Sequence, residues 1–217
     1  MMTDDVLMEK VNELKSIPEV RLQIEQRLRE FTSFSDKDDS EWFSEMCFCL
    51  LTSNSRADTA MKIQEELGAR GFIDSSADEI KDVIMKHKHR FHNNKTRFIM
   101  AARDRGLTSV RKTIEPLALR SQEEAREWLV SNVKGLAYKE ASHFLRNVGF
   151  FDLAILDRHI LNLMKEYGYI EERPKSLNRK NYVEIENVFK EMARMNSMSC
   201  AELDFYMWYM KAGGVLK

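Results

Sequence analysis

The sequence predicts an all-α protein, with 217 residues available for one large domain or two smaller ones. Apolar residues recur at helical spacing in one segment after another, and no segment shows the strict alternation of a half-buried strand. Only three prolines and eight glycines interrupt the chain. Two capping-box patterns, SQEE from Ser121 to Glu124 and SCAE from Ser199 to Glu202, mark helix starts.

Eleven helices follow from this periodicity and from the start and stop signals. In chain order they are predicted at Thr3–Lys15, Pro18–Phe31, Ser40–Thr52, Ala57–Leu67, Ser76–Lys86, Asn93–Arg105, Ser121–Val130, Lys139–Val148, Arg158–Tyr167, Asn178–Met195 and Ser199–Lys211. Several apolar-periodic runs are followed by a glycine, which ends a helix in the left-handed conformation. These glycines are Gly68, Gly106, Gly149 and Gly168.

The composition points to a soluble globular protein, since hydrophobic residues make up 43% of the chain and charged residues 32%. No run of 18 apolar residues predicts a membrane span, and the acidic start MMTDDVLMEK does not resemble a signal peptide. We therefore expect a cytoplasmic, nucleoid-associated location.

The three cysteines are predicted to be buried, reduced thiols. Cys47 and Cys49 lie in the apolar run MCFCLL, and together with Cys200 they lack the spacing of a zinc or iron–sulfur site. No structural metal is expected.

A basic segment stands out in a chain whose formal net charge is only −1. From Lys86 to Arg103 it contains six Lys or Arg, three His and no acidic residue, interleaved with aromatic rings. Such a segment suits a surface that faces phosphates. An ordinary solvated helix face is an equal alternative on this evidence.

A tight turn with a lysine after it is the first candidate for chemistry. The segment VKGLAYKEA joins two predicted helices, and the N–H groups that start the second helix are natural ligands for a phosphate. Lys139 lies there, where the positive end of the helix dipole disfavours an ammonium group. A lowered pKa would make its amine a nucleophile. The alternative is an ordinary surface lysine.

Asp157 is the second candidate. It stands between the apolar run LAIL and a helix predicted to start at Arg158, so it is expected to be the N-cap of that helix. Capping alone would explain it, but an N-cap carboxylate that faces a cleft could also stabilise a cation.

These two motifs resemble those of the helix–hairpin–helix DNA glycosylases. VKGLAYKEA puts Lys139 at the position of the catalytic lysine in members with lyase activity, and LDRHI, eighteen residues on, puts Asp157 at that of the catalytic aspartate. CLLTSNSRADTA and RFHNNKTRFI are similar to further helices of that superfamily. The C-terminal LDFYMWYMKAGGVLK looks most like the archaeal and thermophile-type 8-oxoguanine DNA glycosylases. The resemblance runs from about Phe31 to Lys217.

Two departures from the family pattern bear on this reading. Ala137 stands where many relatives have a second hairpin glycine. The four-cysteine cluster of the endonuclease III branch is absent from the sequence, so an iron–sulfur cofactor is not expected.

The resemblance implies a bifunctional enzyme made of two helical domains with the active site in the cleft between them. Residues 36–149 would form a helical barrel ending in the hairpin, and residues 1–35 plus 150–217 the second domain. Lys139 would attack the sugar C1′ of a flipped nucleotide, and Asp157 would stabilise the positive charge that develops on the sugar. β-Elimination would then cut the strand, with no metal or cofactor.

The resemblance also implies roles in binding. Contact with the DNA backbone is expected from Gly135, Leu136, Ala137, Asn54 and Lys95. Recognition of the base is expected from Trp208, Lys217, Phe91 and Asp204. The expected partner is double-stranded DNA containing 8-oxoguanine, bound by a monomer without any membrane. Two alternatives stay open: a glycosylase of the same fold for another damaged or mismatched base, and a non-catalytic DNA-binding module.

Overall fold

The computed structural model describes residues 6–214 and 217, and within this part of the chain it contains helices and no β-strand. The prediction of an all-α fold is confirmed. The α-helices are α1 Val6–Ser16, α2 Pro18–Thr32, α3 Asp39–Thr52, α4 Ala57–Asp74, α5 Ala77–Lys86, α6 His92–Asp104, α7 Arg111–Arg120, α8 Gln122–Asn132, α9 Tyr138–Asn147, α10 Arg158–Glu166, α11 Arg179–Met195 and α12 Cys200–Ala212. Short 3₁₀ helices occupy Ser33–Asp36 and Leu107–Ser109.

The chain divides into two compact units, one formed by Ser33–Val148 and the other by the described residues of Met1–Thr32 and Gly149–Lys217. In the first unit, α3 is the central helix and packs against α4, α6, α7 and α9. Its sequence explains this position: WFSEMCFCLLT is apolar on nearly all sides, which is typical of a helix surrounded by others. Trp42 forms a T-shaped contact with the Phe144 ring on α9, with ring centroids 6.1 Å apart.

In the second unit, α12 is the central helix. It packs against α1, α2, α10 and α11. Phe205 on α12 stacks on Phe31 of α2, with ring centroids 6.1 Å apart. Both side chains are fully buried, so this pair ties the N-terminal helices to the C-terminal part of the unit.

The helix predictions fail in two places for identifiable reasons. The sequence analysis missed α7, because Pro116 lies inside it and reads as a break. It also ended α4 at Leu67, whereas the chain turns at Gly68 (φ +63°) and continues helically to Asp74. Residues 3–5 of the first predicted helix lie outside the described residues.

All three cysteines are buried, as expected, and none of them forms a disulfide bond with another described residue. Burial raises the pKa of Cys200 to about 12, so its thiol stays protonated at neutral pH. Among the helices of the described residues, none combines the length and apolar character that crossing a membrane requires.

Candidate functional site

The predicted hairpin is present as α8, a five-residue turn from Val133 to Ala137, and α9. Gly135 adopts φ +101° at the centre of the turn. The turn is closed by the Leu136 N–H, which donates to the Val133 carbonyl at 3.2 Å. Arg105 holds it from outside, since its Nη1 donates to the Asn132 carbonyl at the end of α8 at 3.0 Å.

Gly135 packs closely against the Phe98 ring of α6. A Cβ at this position would come within 2.6 Å of Phe98 Cδ2, far inside van der Waals contact. We expect Gly135→Ala to lower the free energy of unfolding by about 2–4 kcal/mol, from positive-φ strain and displacement of the ring. Gly106→Ala is the matched control, because Gly106 has φ +74° but open space around its Cβ position. Denaturant unfolding should show a loss of only about 1–2 kcal/mol for Gly106→Ala. Equal losses would mean that the ring contact is unimportant.

The start of α9 offers backbone N–H groups without a side-chain cap. Ala137 is the N-cap residue and has no side chain that accepts a hydrogen bond. The Ala137 N–H donates to Glu140 Oε2 at 3.3 Å. With the Leu136 N–H also engaged, the donors best placed for a phosphate are those of the first helical turn, Tyr138 to Glu140, which lack intrahelical acceptors.

Lys139 was predicted to open this helix; it is the second residue of α9, in the first turn, and is half-buried. Within residues 6–214 and 217, no hydrogen-bond or ion-pair partner lies against its Nζ. A side chain that is held by neither a carboxylate nor a carbonyl is free to turn toward a bound substrate. Its neighbour Glu140 is buried and serves the turn instead.

Lys95 was expected to contact the DNA backbone, and the structure places it elsewhere. Its side chain is only 4% exposed, and Nζ donates to the Leu50 carbonyl in the last turn of α3 at 2.6 Å. A buried ammonium that caps a helix cannot reach a phosphate, so this prediction is wrong for the side chain. Burial lowers the pKa of Lys95 to about 8, against the attraction of Glu140 and together with the repulsion from Lys139.

The lowered pKa gives stability a measurable pH dependence. Between pH 8 and 10.5 the unfolded chain holds a proton on Lys95 that the folded protein has largely released. The free energy of unfolding should therefore rise with pH across this window, by about 3 kcal/mol relative to Lys95→Met. Urea unfolding at several pH values measures the difference. As a control, Lys62→Met changes an exposed lysine on α4, and its free energy of unfolding should depend on pH as in wild type. If Lys95→Met also kept the wild-type pH dependence, Lys95 would not be its cause.

His89 caps the same end of α3. Its Nε2 pairs with the Leu51 carbonyl at 2.9 Å, and its Nδ1 pairs with the Phe91 N–H at 3.2 Å. The carbonyl needs a donor and the N–H needs an acceptor, so the ring is neutral with its proton on Nε2. Burial lowers the pKa of His89, which favours the same neutral form.

Asn54 and Phe91, two of the predicted DNA contacts, lie near the C-terminal end of α3 that Lys95 and His89 cap. Asn54 follows α3 in the left-handed conformation, with φ +57° and an exposed side chain. Its carbonyl accepts from Arg90 Nη2 at 3.1 Å. The guanidinium of Arg90 also lies 4.7 Å from the Phe91 ring centroid, and that ring is 37% exposed. Both predicted DNA contacts are thus exposed and joined through Arg90.

In the other unit, Asp157 is the N-cap of α10, as predicted. Its Oδ1 accepts from the N–H groups of His159 and Ile160 at 2.8 and 2.9 Å. In the described part of the chain, Oδ2 has no hydrogen-bond partner. One oxygen therefore fixes the carboxylate to the helix, and the other is left to face a cation. The positive end of the helix dipole stabilises the negative charge.

The predicted base-recognition residues of α12 differ in exposure. Trp208 is half-buried, and its ring forms a T-shaped contact with the His159 ring, with centroids 5.0 Å apart. No described residue accepts a hydrogen bond from its buried Nε1. Asp204 is only 7% exposed. Lys217 is half-buried, and residues 215–216 before it lie outside the described residues.

Sequence reasoning missed Arg105, His89 and two residues of α11, Tyr182 and Glu186, which hydrogen-bond the chain just before Asp157. No local motif marks them, because each acts on a segment far away in the sequence. His89 alone had a signal, as a histidine within the basic segment.

Comparison with known proteins places this geometry in context. The chain matches the Ogg-HhH family, described as 8-oxoguanine DNA glycosylase, over residues 24–198. It is 42% identical to the 8-oxoguanine DNA glycosylase/AP lyase of Methanocaldococcus jannaschii, over 98% of this chain and 100% of that protein. The protein of the same name from Korarchaeum cryptofilum is 43% identical, over 98% of this chain and 99% of its own.

Two solved structures agree with the fold. The M. jannaschii 8-oxoguanine glycosylase/lyase, crystallised with a 15mer DNA containing 8-oxoguanine, matches with a TM-score of 0.92 over 98% of this chain and 100% of that one. The 8-oxoguanine DNA glycosylase of Thermotoga maritima matches with a TM-score of 0.88 at 35% identity, over 97% of this chain and 100% of that one.

Proposed function

This chain belongs to the Ogg-HhH family of 8-oxoguanine DNA glycosylases, and on that premise we propose that it removes 8-oxoguanine from DNA by amine catalysis and then cuts the strand. The observation that carries the proposal is that Lys139 Nζ, in the first turn of α9, has no hydrogen-bond or ion-pair partner among the described residues. The catalytic lysine and aspartate of the family motif are proposed to be Lys139 and Asp157.

The chemistry is a substitution at the sugar. The lone pair of the neutral Lys139 amine forms a bond from Nζ to C1′ as the bond from C1′ to the base breaks, and the base leaves with the bonding electrons. The new ammonium gives up one proton, which balances the proton that the base takes up. The C1′–O4′ bond then breaks, O4′ takes up a proton, and the nitrogen lone pair forms the C1′=N double bond of a protonated Schiff base. Loss of a C2′ proton then expels the 3′-phosphate by β-elimination, which cuts the strand 3′ to the lesion.

Asp157 acts on the positive charge that develops on the sugar as the base departs. A fixed carboxylate stabilises that charge without having to reorganise during the reaction. The N-cap bonds to Oδ1 provide the fixation, and Oδ2 supplies the charge.

Binding is proposed to combine backbone and base contacts. The uncapped first turn of α9, after Gly135, Leu136 and Ala137, grips a phosphate, and Asn54 lies at the gap left by the extruded nucleotide. Trp208 and Phe91 supply flat rings for stacking on bases. Lys217 and Asp204 complete the base-recognition residues. Lys95 is left out because it is buried.

The proposal extends to the oligomeric state, the location and the domain boundaries. The enzyme acts as a monomer on double-stranded DNA, in the cytoplasm at the nucleoid. Residues 36–149 form the barrel domain and residues 1–35 plus 150–217 the second domain, an assignment that the compact units support to within a few residues.

Product analysis tests the proposed function against its alternatives. The protein is incubated with duplexes that carry a single 8-oxoguanine, an alkylated purine, a mismatched base or no lesion, and free bases and cut strands are quantified. We expect 8-oxoguanine and a 3′ nick from the first duplex only. Preferred release of another base would support a different glycosylase of this fold. Binding without any product would support a non-catalytic module.

A further inference from the structure

The segment just before Asp157 is buried but belongs to no helix or strand. Residues Leu153 to Leu156 are at most 6% exposed and form an irregular segment in the connection from α9 to α10. Buried backbone N–H and C=O groups need hydrogen-bond partners, and a segment outside helices and strands has no regular ladder to supply them.

Two side chains of α11 supply those partners. The Tyr182 hydroxyl donates to the Ala154 carbonyl at 2.8 Å and accepts from the Leu156 N–H at 3.2 Å. Glu186, one turn further along α11, accepts from the Ala154 N–H at 3.0 Å. Tyr182 is 0% exposed and Glu186 1% exposed. The two residues thus do for this segment what a neighbouring β-strand does in a sheet.

The hydrogen bonds from α11 reach the peptide next to Asp157, the residue proposed to stabilise charge in the reaction. The Leu156 N–H belongs to the peptide immediately before that of Asp157, and the Asp157 N–H folds back onto the Ile155 carbonyl at 2.9 Å. A shift of the segment would therefore carry the Asp157 carboxylate with it, along with the start of α10.

We propose that Tyr182 and Glu186 are positioning residues that set the place of the Asp157 carboxylate by clamping the buried segment before it. The inference rests on the proposed function, because it assigns the clamp to the reaction that Asp157 supports. Neither side chain has to touch DNA. The hydroxyl of Tyr182 is the critical group, since it pairs with two peptides at once.

A kinetic double-mutant cycle tests the clamp. Tyr182→Phe removes both hydrogen bonds and keeps the ring, so single-turnover release of 8-oxoguanine should slow by about 10- to 100-fold. In the Asp157→Asn background the same change should slow it by less than about twofold, because the carboxylate is already lost. Affinity for lesion duplex should be unchanged. Tyr206→Phe, which removes a buried hydroxyl from α12 of the same unit, should keep the wild-type rate.

The other outcomes overturn the inference in distinguishable ways. Equal slowing by Tyr182→Phe in both backgrounds would mean a merely structural role. No slowing in either would mean that the clamp is not needed. If wild type released no 8-oxoguanine, the proposed function would fail first and the inference with it. Should Tyr182→Phe not fold, Glu186→Gln, which keeps an oxygen acceptor, runs through the same cycle with a smaller expected loss and the same dependence on Asp157.

Discussion

Replacing Lys139 with glutamine is expected to abolish both base release and strand cleavage, by a factor of roughly 10⁴ or more. Glutamine has a similar length and can donate hydrogen bonds, but its amide nitrogen has no lone pair available to attack C1′. Borohydride reduction of the Schiff base on a duplex with a single 8-oxoguanine gives a direct readout. Wild type should form a covalent protein–DNA adduct, and Lys139→Gln should form none.

The controls for this experiment separate chemistry from binding. Lys134→Gln removes an exposed ammonium from the same hairpin and should leave the adduct yield nearly unchanged. Lys139→Gln should still bind the lesion duplex within about tenfold of wild type, since it loses one cation. An adduct that persists in Lys139→Gln would assign the nucleophile to another amine. A wild type that binds the lesion without trapping would exclude the amine mechanism.

Much of the fold was predictable from local signals. Asp157 was predicted as the N-cap of α10 from an aspartate between an apolar run and a periodic segment, and the structure confirms it. The placement of Lys139 at the start of α9 followed in the same way from the turn. Such features depend on neighbouring residues alone, which is why a single sequence is sufficient to predict them. The family resemblance built on these motifs is likewise confirmed.

The errors arise where tertiary packing decides. Lys95 lies in a basic segment that reads as a phosphate-facing surface, but α6 turns this side chain inward to cap α3. Nothing within that segment distinguishes an inward lysine from its outward neighbours. The clamp by Tyr182 and Glu186 was invisible for the same reason, since it joins residues 26–32 positions apart. The catalytic roles themselves stay predictions until the substitutions are made.

Asp157→Asn is expected to leave folding nearly unchanged while slowing single-turnover base release by about 10²–10³-fold. Asparagine caps a helix about as well as aspartate, so the bonds to the His159 and Ile160 N–H groups persist and the melting temperature should shift little. What the substitution removes is the negative charge at Oδ2. Calorimetry and rapid-quench assays on the same preparation measure the two effects separately.

Asp157→Ala distinguishes the two duties of this residue. Alanine loses the cap as well as the charge, so it should destabilise the protein by about 1 kcal/mol and react no faster than the asparagine variant. If Asp157→Asn reacted at the wild-type rate and only Asp157→Ala were impaired, capping would account for the residue entirely. If Asp157→Asn folded normally but released the base slowly, the negative charge of Asp157 would be needed for the reaction, because the fold would be equally stable without it.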